Sequence, residues 1–152
     1  MGFGYWFDPL GNVCKLIAEW RPRRCTTEKD YERSLVRYLQ EKLEGKDVVP
    51  QYASGRVRGD IVVEGMILIE IKTKLDSTAK LQKLLGQIEV YESEWKKPVI
   101  VVICGENDPN LAKQLRDSAE RRRPLLGDPW LRLVFKRVAQ TSPLRSAAVT
   151  KN

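Results

Sequence analysis

The segment from Arg58 to Lys74, Arg-Gly-Asp-Ile-Val-Val-Glu-Gly-Met-Ile-Leu-Ile-Glu-Ile-Lys-Thr-Lys, leaves the chain few ways to fold. Two short runs rich in Val and Ile flank Glu64-Gly65, a turn pair, and that composition favours a β-hairpin over a helix. Three charged residues interrupt the runs: Asp60, Glu70 and Lys72. Glu70 and Lys72 stand two apart, so on a strand they share a face. If Val63 pairs with Met66, Asp60 opposes Ile69 and points away from Glu70. If Val63 pairs with Ile67 around the loop Glu64-Gly65-Met66, Asp60 opposes Glu70, with the Cβ atoms roughly 5 Å apart. We favour the second register, because it gives the three charges one another as partners.

Such a trio has a bland reading, a solvated sheet face with a Glu-Lys pair. Against it, both faces of the hairpin are otherwise apolar, so helices are expected over both. Two buried carboxylates are costly unless something neutralises them. A divalent cation does so, and Mg²⁺ takes oxygen ligands, commonly one or two carboxylates with water and phosphate. Asp60 and Glu70 are the candidate ligands, with the Ile71 carbonyl as a third. Lys72 is then placed to orient or deprotonate a water, or to balance charge on a phosphate.

Composition narrows the chemistry. The chain has 152 residues, 42% hydrophobic and 31% charged, the profile of one globular domain. The formal charge of +7 favours a polyanionic partner, most commonly nucleic acid. With no histidine, Ser-His and Cys-His nucleophile systems are excluded, as are most zinc sites. Cys14, Cys25 and Cys104 lack zinc spacing and read as reduced thiols of an intracellular protein, cytoplasmic or nucleoid-associated, with a Cys14–Cys25 disulfide left open. No apolar run is long enough for a bilayer, so no membrane partner is expected.

In chain order, residues 1–25 read as an irregular extension whose aromatics cover a core edge or stack on bases. A helix is expected over Thr26–Glu44, with Thr27 as N-cap and Leu35, Val36, Leu39 and Leu43 as its apolar stripe. Extended backward, the stripe reaches Glu32 and Glu28. Glu32 either faces the strand carboxylates or is an exposed first-turn acid favoured by the helix dipole. Val48–Tyr52 reads as a strand, weakened by Pro50. Ala53–Gly59 reads as a loop whose glycines allow close approach to a phosphate and whose Arg56 or Arg58 grips it. A second helix runs from Asp76 or Ser77 towards Pro98, with Leu81, Leu84, Leu85, Ile88 and Trp95 inward. Lys80, Lys83, Gln87 and Tyr91 form a neighbouring stripe suited to phosphate, and Tyr91 could stack on a base or sugar. Lys74 joins these as a nucleic-acid contact. Val99–Cys104 reads as a strand buried on both faces, Asp108-Pro109 opens a third helix, and Leu131–Val138 is the last strand. Arg121-Arg122-Arg123 is either a further phosphate contact or a solvated run. Residues 26–139 form the expected core and 140–152 a frayed tail.

The order helix, strand, hairpin, helix, strand, with Asp60 and then Glu70-Ile71-Lys72 after nine intervening residues, resembles the PD-(D/E)xK nuclease superfamily. Gln87-Ile88-Glu89-Val90-Tyr91 is similar to the Gln-x-x-x-Tyr helix of its exonuclease and helicase-associated branch. Gly59 stands where the family usually has proline. The resemblance implies an α/β, restriction-endonuclease-like αβββαβ core: a mixed sheet between helices, here with an extra C-terminal helix and strand. It implies Mg²⁺, or Mn²⁺ in its place, on Asp60, Glu70 and the Ile71 carbonyl. It further implies that Lys72 positions water, Glu32 serves as the first-helix acid, Gln87 supports the site and Tyr91 lies near the substrate. DNA is the implied partner, and a homodimer is compatible with the family. Two alternatives stay open: a nucleic-acid-binding protein of the same fold that does not cut, or an adaptor subunit docking through its aromatic N-terminus.

Overall fold

The computed structural model describes residues 7–137; the aromatic segment Met1–Trp6 and the tail expected over 140–152 lie outside them. Five strands form one mixed sheet in sequence order: β1 (Val48–Ser54), β2 (Val57–Val63), β3 (Ile67–Thr73), β4 (Val99–Cys104) and β5 (Leu131–Lys136). The pairings β1–β2 and β2–β3 are antiparallel, and β3–β4 and β4–β5 are parallel. Helices α1 (Pro9–Glu19) and α2 (Glu28–Lys42) pack on one face, and α3 (Thr78–Val90) and α4 (Pro109–Arg121) on the other. The chain is thus α/β with helices on both sides of the sheet. No helix among the described residues is long and apolar enough to cross a membrane.

Local chemistry explains the elements. Each helix opens on a side-chain cap: Asp8 for α1, Thr27 for α2, Ser77 for α3 and Asp108 for α4. Thr27 and Asp30 exchange hydrogen bonds in a capping box, so two orphan backbone donors are satisfied together. All six residues of β4 are buried, as a strand with parallel neighbours on both sides requires. Pro50 lies on β1, an edge strand, where a missing N–H is tolerated.

Two expectations need correction. Residues 1–25 are not irregular throughout, since Pro9–Glu19 is a helix that buries Leu10, Val13 and Ile17. Asp8-Pro9 is a cap followed by proline in the first turn, the same device that opens α4. Ala53–Gly59 is not a loop: Ser54 pairs with Val57 around Gly55-Arg56, and Gly55 takes φ +59°, the left-handed region a tight hairpin turn demands.

One irregularity in the β1–β2 ladder matters for the site. Pairs form on both sides of Gln51 and Asp60 but not between them, and Gln51 has φ +59°. The side-chain alternation reverses at this point. Ile61 and Val63 join the core under α1 and α2, whereas Val57 and Tyr52 join the core under α3 and α4. A kink of this kind re-aims side chains, as β-bulges do beside functional sites.

Candidate metal and phosphodiester site

The β2–β3 register is the one that brings the acids together: Val63 pairs with Ile67, Val62 with Leu68 and Ile61 with Ile69. Beyond Ile69 the two strands separate, and the Asp60 side chain fills the gap. Its Oδ2 accepts a hydrogen bond from the Ile71 N–H at 2.7 Å. A strand residue's N–H and C=O face the same neighbour. The Ile71 carbonyl therefore faces Asp60 as well, where β2 no longer supplies a ladder partner.

Glu70 is 4% exposed and its oxygens are heavily engaged. Oε2 accepts from Gln87 Nε2 at 3.2 Å and lies 3.3 Å from Lys72 Nζ. Oε1 lies 2.7 Å from the Tyr91 hydroxyl, which is also 2.7 Å from the Arg58 carbonyl. A hydroxyl carries one hydrogen and cannot donate to both acceptors at once. The single Tyr91 hydrogen is therefore shared between the Arg58 carbonyl and the Glu70 carboxylate.

The electrostatics agree with that geometry. Burial raises the Glu70 carboxyl above its ordinary range, with Lys72, Tyr91 and Gln87 pulling it back. Asp60 is pushed up to about 7, first by burial, then by the negative charge of Glu70; the Ile71 N–H opposes this and Glu32 adds to it. Tyr91 is raised by burial and by Glu70, so it serves as a neutral donor.

The residues present suit a hard cation. Two carboxylates that disfavour each other's charge and a backbone carbonyl form an oxygen donor set of the kind Mg²⁺ takes with water and phosphate. Among the described residues, Gln87 Oε1 beside them is a buried acceptor without a hydrogen-bond partner, which a water or ion would satisfy. Among the described residues no group of three His, Cys, Asp or Glu side chains is gathered as a metal cage. Glu32 is 7% exposed, so it is not a solvated first-turn acid, and its Oε2 accepts from Gln51 Nε2 at 2.6 Å. Glu32 acts on the site through its field on Asp60.

No family model, curated protein or solved structure matches this chain. Its chemistry must be read from the site itself.

The expected nucleic-acid contacts divide. Arg58, Lys74 and Lys83 are exposed. Arg56 is exposed but pairs with Glu94 at 2.7 Å, and Lys80 pairs with Asp76 at 3.0 Å. Tyr91 cannot stack on a base, because it is 1% exposed and its ring lies in the core; only its hydroxyl reaches the site. Arg122 is held by Glu89 and Glu92. Gly59 has a role different from phosphate approach: a Cβ there would stand 2.7 Å from Leu68 Cγ, so glycine lets β2 close on β3 just before Asp60.

Two features escaped the sequence reading. Glu28 Oε2 accepts from the Thr73 N–H at 3.2 Å, tying the start of α2 to the end of β3. Lys29, Arg33 and Arg37 line a groove of about 380 Å³ beside Glu32 and Gln51. Their spacing of four places them in one row on α2, a periodicity the sequence carries beside the apolar stripe.

Proposed function

We propose that this protein is a metal-dependent nuclease of the PD-(D/E)xK type, with a restriction-endonuclease-like core, that hydrolyses phosphodiester bonds of DNA. The observation carrying the reading is the convergence of Asp60 and Glu70 at the point where β2 leaves β3, with the Lys72 ammonium 3.3 Å from Glu70. Asp60, Glu70 and the Ile71 carbonyl would hold Mg²⁺ or Mn²⁺. Such an ion, when bound, offsets charge gathering on the phosphate oxygens and makes water a better nucleophile. Lys72 holds the water or the phosphate in line, Gln87 and Tyr91 fix the Glu70 carboxylate, and Glu32 anchors the kink through Gln51. In the reaction, water oxygen adds to phosphorus as a bridging P–O bond breaks, and the departing oxygen takes a proton. Lys29, Arg33, Arg37, Arg58 and Lys83 offer the positive surface for the backbone.

The test is cleavage of labelled duplex, single-stranded and branched DNA with Mg²⁺, Mn²⁺ or chelator. Wild type is expected to cut only with metal, and Lys72→Ala and Asp60→Asn to lose on the order of 10³-fold in rate, by comparison with removal of one charge-stabilising group elsewhere. Equal cutting by wild type and both variants would refute the reading.

A second reading has one observation in its favour. Glu70 already finds Tyr91, Gln87 and Lys72 as partners without an ion. The trio would then be structural, in a protein that binds nucleic acid without cutting it. Salt-sensitive binding with no metal-dependent turnover selects this reading.

A further inference from the structure

A cavity of about 960 Å³ opens at the carboxyl ends of the three parallel strands, lined by Thr73 of β3, Cys104 of β4 and Lys136 of β5, and roofed by the linker between α1 and α2. That edge is where α/β sheets hold ligands. Six basic residues line it, Arg21, Arg23, Arg24, Lys74, Lys136 and Arg137, against one carboxylate, Glu106.

The cations are not there to balance acids. Arg21, Arg23, Arg24 and Arg137 form no salt bridge among the described residues. Lys136 donates to the Ala18 carbonyl at 2.7 Å, which fixes its position but leaves its charge uncompensated. Burial, followed by the charge of Arg21, lowers the tendency of Lys136 to hold its proton. Arg24 and Lys74 take φ +57° and +51°, left-handed conformations that residues with a Cβ adopt at a cost. A chain that gathers like charges on unfavourable backbone, facing a cavity of ligand size, is built to receive an anion.

The cavity also lies at the end of the strand that carries Glu70. Thr73 follows Glu70 by three residues, so it stands roughly 10 Å further along the strand and on its other face, towards α1 and α2. We propose that this cavity is a phosphate-binding site for the nucleic acid, gripping the backbone beyond the carboxyl end of that strand. The inference rests on the nucleic-acid part of the function proposed above, not on cleavage.

The test is therefore made in chelator. The double variant Arg23→Gln/Arg24→Gln alters two exposed side chains, and an unchanged thermal midpoint verifies its fold. Binding of labelled duplex is measured across a salt series for wild type and this variant. The double variant is expected to bind more weakly, its log–log salt slope shallower by about 1.8, roughly 0.9 for each lost phosphate contact. A slope and affinity equal to wild type overturn the cavity proposal while leaving the nuclease reading intact. A shallower slope in a protein that never cuts with metal supports the cavity and removes the nuclease reading. A nucleoside monophosphate arm separates the sources of phosphate. If the monophosphate binds wild type but not the double variant while duplex binding is unchanged, the site serves a free nucleotide and the proposal fails.

Discussion

Strand β3 treats charge in opposite ways along its length. At Glu70 a carboxylate is 4% exposed and surrounded by donors. A few residues on, where Thr73 and Lys74 reach the strand's end, unpaired cations ring an open cavity. The first arrangement spends burial and hydrogen bonds to hold acids close that would otherwise separate or protonate. The second leaves Arg21, Arg23, Arg24 and Arg137 without a salt bridge among the described residues. Acids gathered in this way call for a small cation, and cations gathered in this way call for a large anion. A protein acting on a polyanion with the help of a metal needs both, and here the two lie on opposite faces of one strand.

The largest effect that would break the comparison is on the acid side. Glu70→Gln keeps hydrogen-bonding capacity towards Lys72, Gln87 and Tyr91 but removes the charge a cation requires. Metal-dependent cleavage is expected to fall on the order of 10³-fold while circular dichroism stays that of wild type. Retention of activity would reduce the trio to a structural feature.

Next is the link between stability, pH and metal. Asp60 has a folded value of about 7 against an ordinary 3.8. Between those values the folded protein keeps a proton that the unfolded chain has released, so this group's contribution is present below about pH 4 and is lost as pH rises through 7. Asp30 has the opposite sign. Its capping-box bonds to the Thr26 and Thr27 N–H groups lower it to about 2, so its contribution is lost only as pH falls below the ordinary range. In chelator, the thermal midpoint of wild type relative to Asp60→Asn is therefore expected to drop between pH 4 and 7. At pH 8 the variant should be the more stable by about 3 °C for each kcal/mol of relieved repulsion. Mg²⁺ should raise wild type alone. A midpoint difference that does not vary with pH would show that Asp60 stays ionised without metal.

The comparison also explains what the sequence could reveal. The β2–β3 register was legible because it gives Asp60, Glu70 and Lys72 one another as partners, whereas the apolar residues are buried on both faces and do not choose between registers. The parallel β3–β4 pair was legible from a helix-length connection. Tyr91 was misjudged because its polar tip and its buried ring answer to different neighbours, and only the fold shows which faces the site. The kink at Gln51 and Asp60 was illegible, since neither residue type announces a positive φ or a reversal of alternation. The cation cavity was hidden for another reason: residues 21–24, Lys74 and residues 136–137 are far apart in the chain and meet only at the sheet edge.

A smaller effect, but one that tests the approach of β2 to β3, is expected from Gly59→Ala. The added Cβ would sit 2.7 Å from Leu68 Cγ and 2.9 Å from its Cδ1. Leu68 is fully buried, so it cannot swing into solvent. Overpacking of this kind costs about 1–3 kcal/mol. If β2 shifts to relieve the clash, Asp60 moves with it, and activity should fall by more than the loss of folded protein explains. Denaturant melts beside specific activity separate the two, and unchanged stability would mean that the strands do not close here.

The smallest expected effect sharpens the cation side. Arg56 lies at the β1–β2 turn and pairs with Glu94, but its side chain is 68% exposed. An exposed pair of this sort contributes about 0–1 kcal/mol, because water screens the charges and both side chains lose freedom in holding one geometry. Arg56→Ala should therefore leave stability within about 0.5 kcal/mol of wild type. Its effect on DNA tells whether Glu94 keeps the guanidinium or yields it to a phosphate. If Arg56 turns to the backbone, the salt slope falls by about 0.9, half the change expected of the double variant at the cavity. If Glu94 holds it, the slope is that of wild type and the anion-facing surface of this hairpin reduces to Arg58. Glu94→Gln resolves the two without touching Arg56: freeing the guanidinium should strengthen duplex binding only if phosphate and Glu94 compete for it.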